Sequence, residues 1–121
     1  MKKKILIVDD SMMSRMMIKK CLPSSDQYSY ELQEVDGGTK CLDFYSKAPY
    51  DLVLLDLTMP DMDGFETLEK LKEMDPDARV VIVTADIQQK AAERVFALGA
   101  LEVVKKPTSL DKMTAVLDKY L

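Results

Sequence analysis

Apolar positions along this chain follow two alternating rhythms. Short unbroken runs at Lys4–Val8, Leu52–Leu55, Arg79–Val83 and Leu101–Lys105 have the length and continuity of buried parallel strands. Tyr30–Val35 reads as a fifth strand, but the polar Glu31, Gln33 and Glu34 suit the edge of a sheet rather than its centre. Between the runs lie longer segments with helical spacing and recognisable caps. Ser11 caps a helix reaching about Leu22, closed by Pro23-Ser24-Ser25-Asp26, and Asp36-Gly37-Gly38 turns into a second helix ending near Lys47. Asp63 with Glu66 starts a third, to about Met74, and Asp86 with Gln89 a fourth, ending at Gly99. Thr108 with Asp111 opens the last.

Five strands alternating with five helices predict a doubly wound α/β fold, a parallel sheet covered on both faces. Ligands of such sheets bind beyond the carboxyl ends of the strands. There the chain carries its polar residues: Asp9-Asp10 after strand one, Asp56 after strand three, Thr84 after strand four and Lys106 after strand five. Four strands thus bring three acids, a hydroxyl and a base to one rim.

Composition narrows the chemistry. A chain of 121 residues predicts one domain, residues 1–121, and 47% hydrophobic with 31% charged residues is ordinary for a globular protein. Acids outnumber bases 21 to 17, for a net charge of -4, which argues against a nucleic-acid or anionic-lipid surface. Lys2-Lys3-Lys4 precedes an apolar run too short for a signal peptide, and no stretch is long enough to span a membrane. Cys21 and Cys41 have no metal-site spacing and are expected as reduced thiols in a cytoplasmic protein.

Three carboxylates facing one crevice repel each other unless a cation intervenes. Oxygen ligands suit Mg2+, which takes one or two carboxylates and keeps waters that a phosphate can displace. Asp10 and Asp56 are read as direct ligands, with Asp9 acting through water. Asp56, placed at the core's edge by four apolar residues, is a nucleophile suited to phosphorus. Lys106 and Thr84 can stabilise the charge spread over the transferred oxygens. Lys105 competes with Lys106, but neighbouring side chains of a strand point to opposite faces, so only one reaches the site.

The Asp9-Asp10 pair, the stretch Leu55-Asp56-Leu57-Thr58-Met59-Pro60-Asp61-Met62-Asp63-Gly64, the pair Thr84-Ala85 and the pair Lys106-Pro107 together resemble a receiver domain of two-component response regulators, over essentially the whole chain. The resemblance implies a flavodoxin-like sheet of order 2-1-3-4-5. It implies phosphorylation of Asp56 by a histidine kinase or phosphotransfer protein, a metal ligand from the Thr58 backbone carbonyl, and a cis Lys106-Pro107 peptide. It favours Lys106 over Lys105, because the family's lysine immediately precedes the proline. Thr58 and Asp86 occupy positions that tune dephosphorylation in the family. Val103 departs from the pattern, standing where receivers commonly carry Tyr or Phe. With no effector domain after Leu121, the expected output is a downstream protein target, bound through a surface reshaped by phosphorylation rather than through enzymatic turnover.

Other readings are weaker. A haloacid-dehalogenase-type phosphohydrolase places a second Asp two residues after the nucleophile, where this chain has Thr58. A flavodoxin needs a glycine- and hydroxyl-rich phosphate cradle after strand one, where this loop is acidic. A phosphorylation-independent adaptor fits Val103 but not the full set of acids, threonine and lysine. Met12, Met13, Met16 and Met17 are expected to form a buried stripe of the first helix, with some reaching the site rim. Tyr28, Tyr30, Tyr45, Tyr50 and Tyr120 are expected as packing residues.

Overall fold

The computed structural model describes residues 2–23, 29–85 and 88–121. In chain order the elements are β1 (Lys3–Val8), α1 (Met12–Cys21), β2 (Tyr30–Val35), α2 (Gly38–Lys47), β3 (Leu52–Leu55), α3 (Gly64–Met74), β4 (Val80–Thr84), α4 (Gln89–Ala97), β5 (Glu102–Lys105) and α5 (Leu110–Tyr120). All strand pairs are parallel, in the order β2-β1-β3-β4-β5, the doubly wound arrangement expected. The polar β2 is an edge strand, and its outward residues are exposed or half-buried.

Alternation along the central strands divides the core into two layers. Leu6, Val8, Val53, Leu55, Val80 and Ile82 face Cys41, Leu68, Leu71 and Val95 of α2, α3 and α4. Ile5, Ile7, Leu52, Leu54, Val81 and Val83 face Ile18, Met113, Val116 and Leu117 of α1 and α5. A strand buried on both faces has no polar side, which is why β1, β3 and β4 read as continuous apolar runs.

The caps explain most boundaries. The Ser11 Oγ accepts from the Ser14 N–H, and the Asp63 carboxylate accepts from the Glu66 N–H at 2.9 Å. α4 closes with the Gly99 N–H on the Phe96 carbonyl and the Ala100 N–H on the Val95 carbonyl. This paired closure needs a left-handed residue, and Gly99 supplies it at φ 104°. Three expectations shift. The cap of α5 is Ser109, which accepts from the Lys112 N–H, rather than Thr108, because the helix starts one residue later, at Leu110. Gln88 occupies the N-cap position of α4, whereas the expected cap Asp86 lies outside the described residues, as do Ser24-Ser25-Asp26 and Tyr28. β4 lies one residue later than expected at both ends, so that Thr84 ends the strand instead of following it.

The methionine stripe is the larger correction. Met12, Met13, Met16 and Met17 are 66%, 76%, 45% and 48% exposed. The inward face of α1 is instead Ser14, Arg15, Ile18, Cys21 and Leu22, at i, i+1, i+4, i+7 and i+8. That face is half polar because its first turn borders the carboxylate cluster described below, so the methionines fall on the outer side. The other aromatic residues pack as expected: Tyr45 is buried, and Tyr30, Tyr50 and Tyr120 pack against the two layers.

Candidate phosphoryl-acceptor site

The parallel ladder runs one residue beyond several strand ends and so fixes the rim. The Asp9 N–H donates to the Val35 carbonyl at 3.2 Å, and the Asp56 N–H to the Val8 carbonyl at 3.0 Å. The Lys106 N–H donates to the Thr84 carbonyl at 2.9 Å. Asp9, Asp56 and Lys106 are therefore each held by the last residue of a neighbouring strand. Asp9, Asp56 and Thr84 are buried, while Asp10 is exposed at the mouth.

The side chains converge as the sequence suggested. Carboxylate oxygens of Asp9, Asp10 and Asp56 lie within 4.8 Å of one another. The Lys106 ammonium sits 2.6 Å from Asp9 Oδ2 and 3.4 Å from Asp56 Oδ2. Thr84 donates its hydroxyl to the Asp56 carboxylate, which also accepts from the Leu57 N–H at 2.9 Å. Lys105 is exposed, so Lys106 alone of the pair reaches the cluster, and the Lys106-Pro107 peptide is cis.

Burial, reinforced by the neighbouring charge of Asp9, pushes the Asp56 carboxyl above the usual carboxylate range. Lys106, the Thr84 hydroxyl and the Leu57 N–H act against that rise. One ammonium faces three carboxylates, leaving an excess of negative charge in an all-oxygen crevice. Such a donor set fits a hard divalent cation and gives no purchase to soft metals.

Two contributors were not evident in the sequence. The Ser14 hydroxyl donates to Asp9 Oδ2 at 2.5 Å, and the Ser11 N–H to Asp9 Oδ1 at 2.9 Å. Arg15 donates to the Asp9 carbonyl at 2.6 Å while its Nε pairs with Glu34 at 3.0 Å, tying the end of β1 to the edge strand. Both inward side chains fall where Ile18 and Leu22 continue the same face, and that periodicity is the signal that marks them. Gly64 is a third close contact: its N–H donates to the Leu57 carbonyl at 2.9 Å, and a Cβ there would lie 2.3 Å from the Asp56 carbonyl oxygen. Only glycine lets α3 start so near Asp56.

The fold and this cluster define a phosphorylation-dependent signalling switch of the two-component type. The chain belongs to the response regulator receiver domain family, whose model matches residues 5–118. It is 37% identical over 117 residues to the chemotaxis protein CheY of Listeria monocytogenes, covering 96% of each chain. It is 36% identical over 121 residues to sporulation initiation phosphotransferase F of Bacillus subtilis, covering all of this chain and 95% of that one. Among solved structures, CheY4 of Vibrio cholerae superposes with a TM-score of 0.87 at 24% identity, each chain fully covered. CheY in the CheX–CheY–BeF3–Mg2+ complex from Borrelia burgdorferi matches with a TM-score of 0.86 at 25% identity, covering 98% of this chain and 90% of that one. Among the described residues no helix is long and apolar enough to cross a membrane.

Proposed function

We propose that Asp56 accepts a phosphoryl group from a phosphohistidine donor protein, and that the new charge alters binding to a downstream protein. The observation that carries this reading is the convergence of the Asp9, Asp10 and Asp56 carboxylates beside the Lys106 ammonium. In the transfer, an Asp56 carboxylate oxygen forms a bond to phosphorus as the phosphorus–nitrogen bond of the donor breaks. The imidazole keeps the bonding electron pair and recovers its proton from water. Lys106 and the Thr84 hydroxyl, now directed at Asp56, are placed to turn to the incoming phosphoryl oxygens.

Asp10, Asp56 and the Thr58 backbone carbonyl would hold Mg2+ directly. Asp9, already engaged by Ser14, Ser11 and Lys106, would act from behind. When bound, the ion supplies charge neutralisation at the crevice and on the phosphoryl oxygens. That assignment is supported by the oxygen-only donor set and by the excess of carboxylates over ammonium. The Borrelia burgdorferi CheY, seen with Mg2+, BeF3 and a protein partner, makes the same class of ligand and of partner the reading for this chain. The protein is a phosphoacceptor that assists its own phosphorylation and dephosphorylation, not an enzyme acting on a separate substrate.

The donor reaches Asp56 over the rim from which α1 departs, and the exposed methionines of α1 flank that approach. Unbranched thioether side chains adapt to a partner's apolar surface, and they suit a donor that must dock and leave. With Val103 at the usual aromatic position, switching rests on Thr84 and the backbone that follows it.

The test is to incubate the protein with Mg2+ and a small-molecule phosphodonor and to weigh it. One base-labile phosphoryl adduct is expected, absent from Asp56→Asn. No adduct at saturating donor and metal overturns the reading.

A further inference from the structure

The N-terminus of α2 has no cap of its own. Gly37 occupies the N-cap position without a side chain, and the first turn contains no acid. Backbone N–H groups at a helix start need acceptors, and the partial positive charge there favours an anion. The acceptor comes from elsewhere in the chain: Asp61, in the loop between β3 and α3, takes the Thr39 N–H on Oδ2 at 3.3 Å.

The two glycines make room for this contact. A Cβ on Gly37 would lie 2.8 Å from Asp61 Oδ1, so the carboxylate rests directly against the bare backbone. A Cβ on Gly38 would lie 2.2 Å from Thr67 Oγ1 and 3.0 Å from Met62 Cβ, so the same loop and α3 press on the next residue too. The Met62 N–H, followed by the Thr39 N–H and hydroxyl, holds the Asp61 carboxyl below its ordinary range.

The loop so anchored contains Thr58 and begins at Asp56. Its far end is closed by the Gly64 N–H on the Leu57 carbonyl. Asp61 is its tie in the other direction, to the helix that follows the edge strand. We infer that Asp61 is a positioning residue, capping α2 from across the fold and thereby fixing the loop that presents the Thr58 carbonyl to the metal. This rests on the proposed reading of the rim as a Mg2+ site. It adds a residue that touches neither metal nor phosphoryl group.

The experiment compares the wild-type full chain with Asp61→Ala, Asp61→Asn and Gly37→Ala. Two readouts are used: hydrogen exchange of the Thr39 amide without metal, and Mg2+ affinity from backbone amide shifts during titration. Direct outer-shell partners of metal ligands are worth on the order of tenfold in affinity, so Asp61→Ala, which acts through the loop, should weaken Mg2+ binding severalfold, up to about that factor. It should also speed Thr39 exchange by roughly tenfold or more, as expected when a protecting hydrogen bond is lost. Asn caps helices as well as Asp does, so Asp61→Asn should keep both values within about twofold. Gly37→Ala is conformationally tolerable at φ -171° and should act only by displacing the carboxylate, so it should resemble Asp61→Ala.

Unchanged Thr39 exchange in Asp61→Ala overturns the cap. Faster exchange with unchanged Mg2+ affinity overturns the positioning role, and an Asp61→Asn variant as impaired as Asp61→Ala shows a charge effect instead. A wild-type protein whose shifts do not respond to Mg2+ overturns the metal reading and with it the positioning role, while the exchange measurement still decides the cap.

Discussion

Lys106 and Asp9 are ninety-seven positions apart in the chain, yet their side chains meet at 2.6 Å and share an oxygen with Ser14. The contact closes the site from both ends of the sequence, with the last strand bringing the cation and the first bringing the anion. The same ammonium lies 3.4 Å from the proposed acceptor, Asp56. In the absence of metal it serves as the counter-ion that makes a buried carboxylate pair tolerable.

This double role predicts opposite effects in one variant. Lys106→Met keeps the aliphatic stem and removes the charge. Without a competing ammonium the acids should bind Mg2+ more tightly, by on the order of tenfold for a charge a few ångströms away. Phosphoryl uptake from a small-molecule donor should nonetheless slow by roughly a hundredfold, the scale of losing one stabilising group at a developing charge. Metal titration and timed mass spectrometry measure the two separately. A parallel fall in both would show that Lys106 supports the fold rather than the chemistry.

Ser14 gives a second expectation. Its hydroxyl fixes the rotamer of Asp9, and supporting hydrogen bonds of this kind are worth about 10–100-fold in metal affinity. Ser14→Ala should weaken Mg2+ binding toward the lower end of that range, while Ser14→Thr, which retains the donor, should restore most of it. The helix itself should survive, since Ala is its best former. An alanine variant that binds Mg2+ as the wild type does would remove Ser14 from the site.

A third expectation concerns pH and lies at the other end of the sheet. The Tyr45 hydroxyl donates to Asp75 Oδ2 at 2.6 Å. This bond, with the Asp77 N–H, holds the Asp75 carboxyl below its ordinary range, whereas burial and Asp75 itself push the Tyr45 phenol upward. The depressed Asp75 contributes stability that is present above its unfolded pKa of about 3.9 and lost as pH falls through the lowered folded value. The raised Tyr45 contributes stability present below its unfolded pKa of about 10 and lost as pH rises toward the folded value. Tyr45→Phe removes both contributions. Its urea midpoint should be lower at neutral pH, and the gap to wild type should narrow in strong acid and above about pH 10. A gap constant across pH would mean that packing alone, not the hydrogen bond, is lost.

Most of the fold was legible because the central strands are buried on both sides, so β1, β3 and β4 appear as uninterrupted apolar runs whose polar terminators are the site itself. Ser11 and Asp63 announced their helices because the accepting cap and the backbone N–H that donates to it are three residues apart. The cap of α2 was not legible, since its acceptor Asp61 lies twenty-two positions away and no local pattern encodes it. The cap of α5 was misplaced by one residue because Thr108 and Ser109 are chemically equivalent caps and only the backbone chooses between them. The methionines of α1 misled for a different reason. Apolar spacing reports a core only where the inward face is itself apolar. Here Ser14 and Arg15 occupy that face because they hold Asp9, which leaves four apolar side chains outside.

Those four outward methionines carry the last prediction. A single acid at Met13 or Met16 replaces an exposed side chain, and near a helix start it also complements the dipole. Met13→Glu and Met16→Glu should therefore leave stability within about 0.5 kcal/mol of wild type, as exposed substitutions usually do. Uptake from a small-molecule phosphodonor should be unchanged, because both side chains are exposed on the outer side of α1. Transfer from a phosphohistidine donor protein should slow by at least about tenfold, the cost of losing one well-packed apolar contact at a docking surface. The separation of the two donors is the decisive measurement. Equal slowing with both would place the defect in the acceptor, and equal rates with both would exclude the α1 face from donor docking.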